Sequence, residues 1–352
     1  MRGAVPRPLA VPKPLRDDDP RDVSGYPLLA RIGQGGMGTV YLSRTRGGQP
    51  VALKLIRAEY TREPQGPAFR ARFAREVATA RRVYGYHLIP VVDHDAEAEL
   101  PWLATRYVPG LPLDDALRDH GPLPVPTALR LAACTAYALD AVHTAGVIHR
   151  DVKPGNILLA SDGPWLLDFG IARAAGAATL TTVGRLVGTP RHMSPEHALG
   201  HEVTPASDVF TLGLIIAEAA CGHHPYGRGN GLAIAARIAG TDREPPVLDD
   251  VPEPLRTIAA HCLAPRPEDR PTAAETARLC EAEAVTPRPL RDFTGWLPAP
   301  VAEDVRRIEA ASARPPGGGV ALAEAETVRA LPPTAPLTVR DEEWSRRVRR
   351  ET

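Results

Sequence analysis

The chain has 352 residues, 43 % of them hydrophobic, which is enough for one two-lobed domain or two ordinary ones and excludes a protein disordered throughout. Its 42 basic and 42 acidic side chains cancel, so no global field draws it to nucleic acid or to an anionic membrane. Cys134, Cys221, Cys262 and Cys280 form no CxxC pair and fit reduced, buried thiols, while no run of 18 apolar residues offers a membrane span.

Residues 1–24 combine repeated proline with Asp17-Asp18-Asp19, a composition expected to stay extended or disordered. Pro6, Pro8, Pro12 and Pro14 break any apolar stretch that could serve as a secretion signal, so the expected location is cytoplasmic. The folded part is expected over 25–283, with strands at Tyr26 to Ile32, Gly38 to Ser43 and Val51 to Ile56 forming an antiparallel meander. Phe69, Phe73, Val77 and Ala80 recur at helical spacing and predict an amphipathic helix from Pro67 to Val83. Strand character returns at Leu88 to Val92 and Trp102 to Val108, which divides a first lobe (about 25–108) from a second (about 109–283). The second reads as helices at Pro126 to Ala145, Ser207 to Cys221, Gly231 to Ile238, Pro254 to Leu263 and Thr272 to Glu283. Residues 284–352, rich in Pro, Ala and Arg, are expected to be a mostly disordered tail with at most a short helix from Val301 to Ala311.

Gly33-Gln34-Gly35-Gly36-Met37-Gly38 lies between two expected strands, where backbone amides free of side chains can close over phosphates. A dinucleotide-binding turn would need a helix directly after the glycines, whereas Thr39 to Leu42 reads as strand. Lys54 is a cation in an apolar strand and needs anionic partners; Glu76 on the following helix is the natural one, nucleotide phosphates the other. Only Lys13, Lys54 and Lys153 among the 42 basic residues are lysines, and a compact ammonium kept against that bias suits a crowded phosphate site. In His149-Arg150-Asp151-Val152-Lys153-Pro154-Gly155-Asn156, Asp151 can accept the proton of an incoming hydroxyl and Lys153 can steady the transferring phosphoryl group. Asn156 and Asp168, the latter in Asp168-Phe169-Gly170, offer the hard oxygens that Mg²⁺ prefers. Cys221 with His223 and His224 hints at a metal site, but adjacent histidines in a turn read better as loop residues.

In this order the motifs resemble those of the eukaryotic-like Ser/Thr protein kinases of bacteria, from about Tyr26 to Cys280. Residues Gly188 to Glu196 are similar to that family's GTPxYMSPE, with His192 where an aromatic is usual. The resemblance implies an α+β, two-lobed kinase fold, with a five-stranded antiparallel sheet plus one helix in the first lobe and a mainly helical second lobe. ATP would sit in the cleft under Ile32 and the glycine loop, its adenine between Val40, Ala52 and Leu158, beside the gatekeeper Thr105 and the Arg106-Tyr107-Val108 hinge. Glu196 and Arg270 would form a buried ion pair, Asp208 would brace the catalytic loop, and Thr189 would lie near Asp151 and Lys153. Thr181 and Thr182 are the activation-loop candidates for autophosphorylation. The implied activity is that of a non-specific serine/threonine protein kinase using ATP with Mg²⁺, or Mn²⁺, on protein substrates. The alternatives are a nucleotide-binding pseudokinase or scaffold, and a small-molecule kinase, against which Arg150 and residues 188–196 argue. A homodimer is left open.

Overall fold

Alternating apolar side chains between Tyr26 and Ile56 bury Leu28, Ala30, Tyr41, Leu42 and Leu53 and so commit this stretch to sheet. The computed structural model describes residues 11–62, 66–167, 190–284 and 292–314. Strands β1 (Asp22–Val23), β2 (Tyr26–Gln34), β3 (Gly38–Arg44), β4 (Pro50–Ile56), β5 (Val91–Asp95) and β6 (Trp102–Arg106) form one six-stranded sheet. Its order is β1-β2-β3-β4-β6-β5, with every neighbouring pair antiparallel. The five expected strands thus gain the two-residue β1, drawn from the segment expected to be loose. Asp19 explains why that segment packs from residue 11 onward. Its buried carboxylate accepts from the Tyr41 hydroxyl at 2.7 Å and pairs with Arg31 at 3.2 Å, while Lys13 and Arg31 exchange backbone hydrogen bonds.

The strand expected at Leu88 starts instead at Val91. Pro90 has no N–H to give to a ladder, and Leu88 forms a parallel bridge to Leu166 in the other lobe. Helix α1 (Gly66–Ala80) packs Phe69, Phe73, Val77 and Ala80 inward, the two phenyl rings stacked at 6.0 Å. Of its arginines Arg75 is exposed, while Arg70 is half-buried and donates to the Ala96 carbonyl at 2.8 Å.

The second lobe holds a small antiparallel sheet of β7 (Leu111–Pro112), β8 (Ile157–Ala160) and β9 (Gly163–Leu166). Around it lie α2 (Leu113–His120), α3 (Val125–Thr144), α4 (Pro195–Ala198), α5 (Pro205–Cys221), α6 (Gly231–Ala239), α7 (Leu255–Cys262) and α8 (Ala273–Ala282). Helix α5 is apolar nearly all round and is buried accordingly. Thr204 and Ser207 close a capping box at its start, and Gly222, at φ 78°, ends it. Among the described residues no helix is long and apolar enough to cross a membrane.

Residues 292–314 correct the expected boundary at 283. Helix α9 (Ala299–Ala313) buries Val301, Val305 and Ile308 beside β7 and α2, and Phe293 and Trp296 ahead of it are also buried. One apolar residue every three or four is a weak signal in a Pro- and Ala-rich stretch, because the surfaces it covers are remote in sequence.

Candidate active site

A cavity of about 270 Å³ opens between the two sheets. Strand register explains its walls. Val40 pairs with Lys54, Lys54 with Leu103, and Ala52, two residues before Lys54, with Thr105, so these side chains share one face of the sheet. Ile32, Gly33, Val40, Ala52 and Lys54 line one side, Thr105, Arg106 and Val108 the back, and Leu158 of β8 the opposite wall. Tyr107, Ile89, Leu103, Gly110, Pro112, Gly155 and Leu167 complete the lining. Gln34, Gly35, Gly36, Met37 and Gly38 do not line this cavity. Their turn is closed by the Gly35 N–H donating to Gly38 O at 2.9 Å. Gly38 is required where it stands, since a Cβ there would lie 2.1 Å from the Leu55 carbonyl oxygen.

The catalytic-loop candidates converge on Asp151. Its Oδ2 accepts from Lys153 Nζ at 2.8 Å and from Asn156 Nδ2 at 3.0 Å, and Asn156 Nδ2 also donates to the Asp151 carbonyl at 2.8 Å. Arg150 adopts φ 64°, a left-handed conformation that a non-glycine residue keeps only when its surroundings enforce it. Asp208 of α5 supplies that enforcement. Its Oδ1 accepts the Arg150 N–H at 2.9 Å, its Oδ2 accepts the His149 N–H at 2.8 Å, and His143 Nε2 stands 2.8 Å from the same Oδ2. The Asp151 N–H donates to His149 Nδ1 at 3.3 Å, which leaves Nε2 as the protonated nitrogen facing the Leu167 carbonyl at 3.0 Å. The HRD histidine is therefore a spacer between the loop and the strand end at Leu167.

Glu196 and Arg270 form the buried pair the resemblance implies, bidentate at 2.8 and 3.0 Å. Burial alone would raise the Glu196 carboxyl, but the Arg270 and Ser207 hydrogen bonds override it and hold the pKa at about 2. Burial wins at Glu76. Its carboxyl is pushed up to about 7 against the fields of Arg150, Arg75 and Arg72, and Oε2 is buried without a hydrogen-bond partner. The ion pairs among the described residues do not join Lys54 to Glu76; α1 presents the right face at the right turn but not the expected contact.

Beyond the catalytic loop lies an open groove of about 610 Å³, lined in part by Asp114, Lys153, Gly155, Arg191, His192 and Glu218. His192, the departure from the aromatic pattern, is half-buried and sits 2.9 Å from Glu218, with Arg191 at 3.3 Å from the same carboxylate. His224 turns Nε2 to the Arg191 carbonyl at 2.8 Å and His223 faces Asp250 at 3.2 Å. Asp168, Thr181, Thr182 and Thr189 lie outside the described residues.

Comparison with known proteins adds the family. The family model described as protein kinase domain matches residues 26–279. The chain is 44 % identical over 263 residues to the probable serine/threonine-protein kinase PkwA of Thermomonospora curvata, covering 75 % of this chain and 35 % of that one. It is 42 % identical over 262 residues to the serine/threonine-protein kinase AfsK of Streptomyces coelicolor, covering 74 % and 32 %. With the serine/threonine-protein kinase PknH of Mycobacterium tuberculosis the identity is 36 % over 265 residues, covering 74 % and 42 %. The matched part thus spans about a third of the first two relatives.

Proposed function

The chain belongs to the protein kinase family, and from that premise we propose that it transfers the γ-phosphoryl group of ATP to serine and threonine hydroxyls of proteins. One observation carries the reading. Gly155 borders both the cavity and the groove, so the loop bearing Asp151, Lys153 and Asn156 separates a space lined by apolar side chains and Lys54 from a larger one lined by Lys153, Arg191 and Glu218. The small-molecule alternative does not account for so open a second site.

The roles follow from position and charge. Ile32, Val40, Ala52 and Leu158 give the adenine apolar faces, the Arg106 to Val108 backbone its hydrogen bonds, and the Gly33 to Gly38 turn and Lys54 take the phosphates. Asn156 suits a divalent cation, because both hydrogen bonds of its amide nitrogen go to Asp151 and its oxygen is the atom left for a metal. Asp168 would be the second ligand, with Mg²⁺ the first choice and Mn²⁺ the second. A cation bound there supplies charge neutralisation on the phosphate oxygens. Asp151 orients the acceptor hydroxyl and takes its proton, and Lys153, 2.8 Å from that carboxylate, meets the charge of the transferring group. Glu76 would have to approach Lys54 for the phosphates to be held in line. Thr181 and Thr182 are the proposed autophosphorylation sites, Thr189 would lie with the acceptor, and the proposed dependence on ATP fits a cytoplasmic location.

The Asp151→Asn variant tests the assignment. It should bind ATP as the wild type does, yet lose about 10²-fold or more of the transfer of γ-labelled phosphate to a generic basic protein. Undiminished transfer in that variant would remove Asp151 from the mechanism.

A further inference from the structure

Residues 292–314 lie outside the matched kinase-domain residues, yet they reach both parts of the chain that frame the nucleotide cavity. At the hinge, Tyr107 lines the cavity and its hydroxyl is 2.6 Å from Ser312 Oγ on α9. The Ser312 hydroxyl gives its own hydrogen to the Ile308 carbonyl at 2.7 Å, so its oxygen is left to accept from Tyr107. The Tyr107 phenol, protonated at neutral pH in any case, is held above its ordinary pKa by burial. At the opposite wall, Trp296 Nε1 donates to the Ala160 carbonyl at 3.0 Å, and the Ser161 N–H donates to Glu309 at 3.4 Å. Ala160 ends β8, the strand that carries Leu158 into the cavity, and Ser161 follows it.

The same segment is anchored on the second lobe. The Thr127 hydroxyl donates to the Trp296 carbonyl at 2.9 Å, and His120 faces Asp304 at 2.7 Å. A segment that only covered apolar surface would need Val301, Val305 and Ile308 but no polar contact at each side of one cavity. We infer that Ser312 is a positioning residue for the nucleotide: through Tyr107 it fixes the hinge against the β8 wall, and residues 292–314 are a working part of the ATP site.

This inference rests on the nucleotide reading above, and one experiment separates the two. ATP binding is measured by calorimetry, and steady-state kinetics by varying ATP, on the full chain and its Ser312→Ala, Tyr107→Phe and double variants. Ser312→Ala should raise both Kd and KM for ATP about fivefold, the loss expected for one neutral hydrogen bond, with kcat at saturating ATP within about twofold of wild type. Tyr107→Phe should weaken ATP by the same factor, and the double variant should be no weaker than either. Wild-type ATP affinity in Ser312→Ala, or losses that multiply in the double variant, would overturn the inference and leave α9 a cover. A wild-type chain that binds no ATP would overturn the nucleotide reading, and the inference with it.

Discussion

Glu76 is a half-buried carboxylate and Glu196 a buried one, and what separates them is the hydrogen bonding that Arg270 and Ser207 give Glu196. Glu196 has Arg270 in bidentate contact and stays ionised down to about pH 2; at Glu76 burial outweighs the fields of Arg150, Arg75 and Arg72, and the pKa stands at about 7. Raised above its ordinary 4.5, the Glu76 pKa gives a defined sign. Its contribution to stability is complete below pH 4.5, declines as pH climbs from there through 7, and is flat beyond. Glu76→Gln removes the ionisation, so its melting temperature should gain on that of the wild type between pH 5 and pH 8, while kcat/KM falls because the partner of Lys54 is gone. A melting difference that is the same at both pH values would show that Glu76 is not buried as an acid in this state. The residues of the catalytic loop could be read in the sequence because the chemistry crowds them: Asp151, Lys153 and Asn156 contact one another across five positions. The orientation of Glu76 could not, because it depends on how α1 rotates against the sheet rather than on any spacing.

At the scale of elements, helix α5 shows how much packing decides. Gly213 sits in its middle, where alanine would favour the helix by about 1 kcal/mol. A Cβ there would stand 2.7 Å from Cys262 Cβ and 3.0 Å from Leu263 Cγ, on and just beyond the end of α7. Overpacking of that kind costs about 1–3 kcal/mol, so the clash should win, and Gly213→Ala should lower the urea midpoint of unfolding. A midpoint unchanged or raised would mean that α7 has room to shift. Elements built on local periodicity, such as α1, α3 and α5, were legible to within a few residues. Those defined by remote partners were not. Leu88 leaves its expected strand for Leu166, and Asp19 recruits β1 through Tyr41; the short helix expected from Val301 to Ala311 is present as α9, but its docking was not legible, because Trp296 ahead of it finds Thr127 and Ala160.

At the scale of the molecule, the chain joins a sheet lobe and a helical lobe through Arg106 to Val108, and the cavity lined by Lys54 and the groove lined by Lys153 meet at Gly155. Asp208 ties the catalytic loop to the most buried helix, and the Glu196 to Arg270 pair ties the segment after the groove to the end of the lobe, so the second lobe is the fixed side. The first lobe carries Lys54 and Glu76 on separate elements, β4 and α1, and under the proposed mechanism the two would have to approach. The most direct measurement is phosphoamino-acid analysis of a protein acceptor incubated with the chain, Mg²⁺ and ATP labelled at the γ position. Label recovered as phosphoserine and phosphothreonine, and lost with Asp151→Asn, is the predicted result; an acceptor that stays unlabelled while the chain binds ATP would contradict it.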